Sequence, residues 1–290
     1  MATVSRALVL GGGGITGIAW ELGLLAGLAE AGLDIMSPDL VVGTSAGSVV
    51  GAQILSGDSI EDLYARQLAD PAGEGGARMG AGALARFVIA SAWPGDPGRG
   101  RAYLGRAALA ATTHPESDSR AAFEALVPRD SWPERRLLVT AVDAETGEPR
   151  VFDRDSGVAL RDAVAASCAV PIVWPPITIQ GHRYIDGGVR SIANADLAAG
   201  CDRVVVLAPV TVALRPSGRI AHQLSSLGRE VRSVIVSPDA ESRTAIGRNV
   251  LDPAQRAASA RAGLRQAAAV AAVVEAVWSV REGSPGLSGT

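Results

Sequence analysis

Ser45 is the residue whose setting first points to chemistry. It stands at the centre of Gly43-Thr44-Ser45-Ala46-Gly47, a Gly-x-Ser-x-Gly pattern, between the apolar run Leu40-Val41-Val42 and Ser48-Val49-Val50-Gly51-Ala52. That order predicts strand, sharp turn, helix. A serine on such an elbow sits at the carboxyl end of a strand and the amino end of a helix, and the flanking Gly43 and Gly47 let the backbone fold that tightly. Ser45 is therefore a candidate nucleophile. The same five letters also fit a tight turn with no chemistry, so the reading depends on what accompanies it.

A second glycine-rich stretch, Gly11-Gly12-Gly13-Gly14-Ile15-Thr16-Gly17, follows the short apolar strand Ala7 to Leu10. Ile18, Leu22, Leu25, Leu28 and Ala29 then recur at helical spacing up to Gly32, so the glycines lie where a helix begins. Free N–H groups and the helix dipole make that place attractive to negative charge. Two chemistries use such a loop. As Gly12-x-Gly14-x-x-Gly17 it matches a dinucleotide fingerprint, with Asp34 near the expected ribose-binding acid. Taken with Ser45, it supplies an oxyanion hole. A dinucleotide fold has no use for a nucleophile elbow on its next strand, and Asp34 runs on into Ile35-Met36-Ser37-Pro38 rather than ending a clear strand.

A serine nucleophile needs a base, and a Ser-His-Asp triad is the default expectation. The histidines are His114, His182 and His222. In the order Ser, Asp, His only His222 could complete a triad with Asp186, yet it stands in the helical stretch Arg219 to Leu224. His182 belongs to a hairpin turn and His114 precedes Pro115. None has the setting of a base. Asp186-Gly187-Gly188 at a hairpin exit is, taken alone, good turn chemistry.

Taken together, these segments resemble the patatin-like phospholipases, lipid acyl hydrolases that use a Ser-Asp dyad without histidine. The resemblance runs through Gly12 to Gly17, Gly43 to Gly47, Ala166-Ser167-Cys168-Ala169-Val170-Pro171 through Pro175-Pro176, and Asp186-Gly187-Gly188, with Thr140 to Glu148 as a further strand-and-turn signature. It implies Ser45 as nucleophile, Asp186 as base, and the N–H groups of Gly13 and Gly14 as oxyanion hole, supported by Gly12, Gly17, Gly43, Gly47, Gly187 and Gly188. It also implies hydrolysis of lipid carboxylic esters, of phospholipase A or lysophospholipase type, with no cofactor or metal. The family usually carries arginine or lysine where this chain has Thr16, which keeps open a catalytically weak lipid-binding or regulatory protein. A carboxylate near its ordinary pKa is a poor base for an alcohol, so Asp186 would have to be buried to act.

The elements that must position these residues alternate between strand and helix, which implies an α/β fold: a three-layer αβα sandwich around a mostly parallel central sheet, with active residues at the carboxyl ends of its strands. Further strands are expected at Leu137 to Val142, Val151-Phe152, Ile177 to Ile179, Tyr184-Ile185, Val204 to Leu207 and Val234 to Val236. Further helices are expected around Leu63, from Leu160, around Leu224, Leu227 and Val231, and along Val270, Val273, Val274, Val277 and Trp278. With 290 residues, 48% of them hydrophobic, the chain is expected to form a single domain over 1–281, with a loose tail at 282–290. The Gly/Pro-rich excursion at 71–101 around Leu84, Phe87, Val88, Ile89 and Trp93 reads either as a surface excursion with its own small core or as a mobile cap that meets acyl chains or a bilayer.

A net charge of −3 gives no basic face for nucleic acid. All 27 basic residues are arginine, which matters for phosphate head groups only if they cluster in space. Cys168 and Cys201 read as small buried thiols of a reducing compartment, and no signal peptide or membrane-spanning run is evident. The expectation is a cytoplasmic protein, peripheral to the membrane at most, of open oligomeric state.

Overall fold

The computed structural model describes residues 4–71, 76–213 and 215–279. The expected tail at 282–290 and the stretch 72–75 of the Gly/Pro-rich excursion lie outside the described residues. In chain order the elements are β1 (Arg6–Leu10), α1 (Gly14–Glu30), β2 (Leu40–Gly43), α2 (Ala46–Ile54), α3 (Ile60–Leu68), α4 (Ala81–Ser91), α5 (Pro97–Leu109), α6 (Glu116–Leu126), β3 (Arg136–Asp143) and β4 (Pro149–Phe152). They continue with α7 (Leu160–Ser167), β5 (Ile177–Ile179), β6 (His182–Asp186), β7 (Arg203–Leu207), α8 (Ile220–Ser225), β8 (Arg232–Val236), α9 (Ala240–Ile246) and α10 (Arg256–Trp278).

The sheet runs β5-β6-β3-β2-β1-β7-β8, with β4 paired to β3. Strands β3, β2, β1, β7 and β8 are parallel, whereas β4, β5 and β6 run antiparallel to their neighbours. The central strands are apolar on both faces, as a sheet covered on both sides requires. Leu8, Leu10, Val41, Val205 and Leu207 face a large core shared with α1, α2, α7 and α10. Their alternates Ala7, Val9, Val42, Val204 and Val206 face a smaller core closed by Ala195, Ala198 and α8. The fold is the expected α/β sandwich, with one helical layer much thicker than the other.

The thick layer centres on α1 packed along α10. Close approach there depends on missing side chains: a Cβ on Gly23 would lie 2.0 Å from Ala260 O, one on Gly27 2.5 Å from Ala267 Cβ, and one on Gly263 2.2 Å from Trp20 O. Trp20 is fully buried, and Trp278 at the end of α10 donates its indole N–H to Asp34 O at 2.7 Å. Of the apolar stripe expected on α10, Val274 and Trp278 are buried and Val273 is exposed. The helix expected to reach Val231 stops at Ser225. The chain turns there through Leu227 N–H to Leu224 O and then Gly228 at φ 114°, a conformation glycine adopts readily.

The 71–101 excursion contains α4 and the start of α5, and α6 follows it. Glycine patterns hid α4 and α5 from a periodicity reading. The hairpin they form is fixed at its base: a Cβ on Gly105 would lie 2.0 Å from Ala144 O, and one on Gly147 2.4 Å from Gly98 O, so α5 is seated on the β3–β4 turn.

Candidate active site

The elbow forms as its sequence demands. Ser45 sits between β2 and α2 at φ 53° and ψ −119°, a conformation that side-chain-bearing residues rarely adopt. Gly47 could be nothing larger, since its Cβ would lie 2.1 Å from Leu10 O; Gly43 faces Ser48 Cα at 2.6 Å by the same measure. The elbow is tied to β1 by Thr44 N–H to Leu10 O at 3.1 Å and Gly47 N–H to Gly11 O at 3.0 Å. Ser45 N–H donates to Ser167 Oγ at 2.9 Å, and Ser48 Oγ donates to Ser45 O at 2.7 Å.

The glycine-rich loop passes directly over the serine. A Cβ on Gly12 would lie 3.5 Å from Ser45 Cβ. Gly11 N–H donates to Leu207 O at 2.9 Å and Gly12 N–H to Ile192 O at 2.7 Å, so both are engaged. The N–H groups of Gly13 and Gly14 have no acceptor among the described residues. They open α1, where orphan donors and the helix dipole favour negative charge. Gly14 has φ 60°, and a Cβ on it would lie 2.6 Å from Val250 O. Pro209 closes over Gly13 and Gly17. Thr16 is fully buried, with both its N–H and its hydroxyl directed to Val250 O. It is a packing residue with no charge to offer.

Asp186 ends β6, opposite Ala141 of β3. Its N–H donates to Ala169 O at 2.9 Å, and its Oδ1 accepts from Gly188 N–H at 2.7 Å. Burial pushes its carboxyl up to about 6, while hydrogen bonds from the Ser45 hydroxyl and the Gly188 N–H pull the other way. Cys168 stands against the same pair. Burial first, then the charge of Asp186, push its thiol far up, which leaves it a neutral neighbour rather than a nucleophile.

The sequence-derived residues thus converge: Ser45, Asp186, Gly12, Gly13 and Gly14 meet at the carboxyl ends of β1, β2 and β6. The histidines do not. His222 is exposed on α8, His182 is exposed against Asp143 at 3.3 Å, and His114 packs edge-on to Trp174. Asp34 is engaged with α10 rather than with the glycine loop. Among the described residues no cluster of three or more His, Cys, Asp or Glu is placed to hold a metal ion, and no helix is long and apolar enough to cross a membrane.

Several positioning residues lie outside the motifs. Asn194 is fully buried at φ 51°, and its Nδ2 lies 3.0 Å from Thr44 Oγ1, 3.2 Å from Thr140 Oγ1 and 2.8 Å from Ser191 O. One amide thereby ties the elbow, β3 and the loop after Asp186. Glu21, fully buried under the glycine loop, accepts Gly11 N–H at 3.0 Å through Oε1, while Oε2 has no partner among the described residues. Burial holds its carboxyl well above the ordinary range and the Gly11 bond only partly offsets this; it braces the loop from below. An αL asparagine carries a weak sequence signal; a lone glutamate on an apolar helix is a better one.

A strained serine between strand and helix, facing a buried carboxyl under a loop of free N–H groups, defines an α/β protein of the nucleophile-elbow class. The family model of patatin-like phospholipases matches residues 8–199, and the chain belongs to that family. It is 31% identical over 190 residues to lysophospholipase NTE1 of Coccidioides immitis (strain RS), an alignment covering 63% of this chain and 10% of that protein. It is 30% identical over 207 residues to lysophospholipase nte1 of Aspergillus niger, covering 70% of this chain and 12% of that protein. The chain therefore spans about a tenth of the length of these relatives. Among solved structures, VipD from Legionella pneumophila superposes with a TM-score of 0.49 at 16% identity, over 94% of this chain and 67% of that one.

Proposed function

We propose that this chain is a serine acyl hydrolase that cleaves carboxylic ester bonds of lipids, of phospholipase A or lysophospholipase type, through a Ser45-Asp186 dyad. The observation that carries the reading is the direct approach of the Ser45 hydroxyl to a buried carboxyl whose pKa is raised to about 6, with no histidine between them. A carboxyl with that value is ionised near neutral pH yet basic enough to take a proton in the transition state. Family membership and the two lysophospholipase relatives support the ester class.

In the proposed reaction Asp186 takes the Ser45 proton as Oγ attacks the ester carbonyl carbon. The oxyanion is held by the N–H groups of Gly13 and Gly14, each such donor contributing about 2.7 to 4 kcal/mol in serine hydrolases. Collapse breaks the ester C–O bond, and the departing alcohol takes the proton from Asp186. Water then attacks the acyl-enzyme, giving its proton to Asp186; collapse releases the fatty acid and returns that proton to Ser45. The substrate lies at a lipid surface, which the protein meets peripherally, and residues 1–281 act as one catalytic domain.

Intact-mass analysis after a fluorophosphonate probe, paired with ester turnover, tests this. Wild type is expected to gain one adduct that Ser45→Ala abolishes, and Asp186→Asn to lower kcat by about 10⁴-fold or more. His222→Ala is expected to keep full activity. Turnover that survives Asp186→Asn but not His222→Ala sinks the dyad. Buried, uncharged Thr16 favours one second reading, a lipid binder with little turnover; a stoichiometric adduct without ester hydrolysis would select it.

A further inference from the structure

The helical hairpin α4–α5 carries the arginines that composition alone could not locate. Arg78, Arg86, Arg99, Arg101 and Arg106 stand over residues 78–110 with Asp96 as the one acid, a net of +4 in a chain whose total is −3. The rest of the molecule is therefore strongly acidic. Asp96 is already committed as the N-cap of α5, accepting Gly98 N–H at 2.7 Å. Arg99 and Arg106 have no side-chain partner among the described residues. Arg101 is half-buried and donates through Nε to Gly147 O at 2.6 Å, which anchors its guanidinium to the β3–β4 turn. Arg99, Arg101 and Arg106 line one side of a cavity of about 630 Å³, together with Trp93, Thr146 and Glu148. Burial first, then Arg190 and Arg215, lower the Arg101 pKa, while the carboxylates of Asp96 and Glu148 pull the other way.

The same hairpin exposes an apolar face. Ala83 and Ala90 of α4 are buried, and a Cβ on Gly100 would lie 2.2 Å from Ala90 O, so this side is packed on α5. Leu84 and Val88, one turn apart, and Ile89 beside them are 56%, 49% and 48% exposed on the other side. The loop bearing Val212, 76% exposed, is held to the end of α4 by Arg215 Nε to Ser91 O at 2.8 Å. Trp93 stacks at 5.3 Å on Tyr103 at the turn of the hairpin. An exposed apolar face on the same hairpin as Arg86, Arg99 and Arg106, none of which has a carboxylate partner among the described residues, with a Trp-Tyr pair at the turn, matches a bilayer interface of negative surface charge. A second copy of this chain fits poorly, since two such patches would set like charges together.

We propose that α4–α5 is the surface by which this protein docks on anionic lipid bilayers, with Leu84, Val88 and Ile89 entering the acyl boundary and Arg86, Arg99 and Arg106 meeting phosphate and carboxylate head groups. The proposal rests on the lipid-ester reading for its purpose, but it is tested without turnover. Ser45→Ala protein, which leaves vesicles intact, is sedimented with vesicles of phosphatidylcholine alone and with vesicles in which a third of the lipid is phosphatidylserine. Binding is expected on the anionic vesicles and to fall with added salt. Arg86→Ser, Arg99→Ser and Arg106→Ser each weaken it about fivefold, and the triple variant about 100-fold. Leu84→Ser/Val88→Ser weakens it as well. In the wild-type background the triple variant keeps its hydrolysis of a soluble short-chain ester.

Equal binding to both vesicle types, or binding unchanged in the triple variant, overturns the assignment. So does a dimer that Leu84→Ser/Val88→Ser dissolves, because a second copy would then own the face. Vesicle binding with no ester turnover in wild type removes the hydrolase reading and leaves the docking surface standing; turnover of soluble ester with no vesicle binding does the reverse.

Discussion

Replacing Asp186 by asparagine should make the protein more stable at neutral pH while it stops turnover. The carboxyl is buried and its pKa is raised to about 6, against an unfolded value near 4. The sign follows from proton counting: between these two values the folded chain holds a proton that the unfolded chain has lost, so stability falls as pH rises through this window. One pKa unit is about 1.4 kcal/mol, so the ionised carboxyl costs the fold roughly 3 kcal/mol once pH exceeds the folded value. Asparagine never ionises, and its side-chain oxygen can still accept the Gly188 N–H bond. Asp186→Asn should therefore match wild type near pH 4 and pull ahead as pH rises, levelling above about pH 6.5. For a domain of this size the gain corresponds to roughly 5–10 °C in Tm. Thermal melts of both proteins across pH 4 to 8 measure it, with groups elsewhere cancelling in the difference. A variant less stable than wild type at pH 8, or a gain that does not vanish at the acid end, would refute the claim that this carboxyl is held at an energetic cost.

If Asp186 is the base of the proposed dyad, the same pKa places the acid limb of catalysis: kcat/KM should rise tenfold per pH unit below about 6 and flatten above it, and a pH-rate profile on a soluble ester checks this. Gly187→Ala would put a Cβ 2.2 Å from Thr140 Oγ1 and 2.4 Å from Thr140 O. It should lower stability by roughly 1–3 kcal/mol and displace Asp186, with kcat falling more than KM changes. Asn194→Ala leaves the hydroxyls of Thr44 and Thr140 without their amide and should cost about 1–3 kcal/mol in denaturant unfolding. If kcat survives that change, the amide network is not what holds the elbow and the Asp186 loop in register.

What could be read from the chain and what could not follows from the range of the interactions involved. The elbow, the glycine loop, the buried strands and the hairpin before Asp186 are set by neighbours a few residues away, so spacing alone located them. The dependence of Gly13 on Pro209, of Gly14 and Thr16 on Val250, and of Ser45 N–H on Ser167 joins segments far apart in sequence, and no local pattern encodes it. Helices α4 and α5 were obscured for a different reason. Gly80, Gly82, Gly98 and Gly100 read as part of a glycine-rich excursion, although Gly100 is small because the backbone of Ala90 passes within touching distance. Helix α8 was overextended because Leu227 and Val231 continue its apolar spacing past Gly228, where the backbone turns.

Sheet order bears on the proposed dyad, in which a carboxylate serves where a histidine would be expected. Strand β6 lies antiparallel against β3, and β3 lies against β2, so Asp186 arrives two strands, roughly 10 Å, from the end of β2 where Ser45 turns. Side chains reaching inward from both ends bring the Ser45 hydroxyl to the Asp186 carboxyl. The arrangement concentrates unfavourable features at one place: positive φ at Ser45 and at Asn194, two glycine N–H groups without acceptors among the described residues, and two buried carboxyls, Asp186 and Glu21, with raised pKa values. Each opposes folding, and the tightly interlocked α1–α10 layer and the doubly covered sheet offset them. That accumulation at the convergence of Ser45 and Asp186, within a chain whose central strands follow their local rules, is what a site kept for chemistry rather than for stability would display.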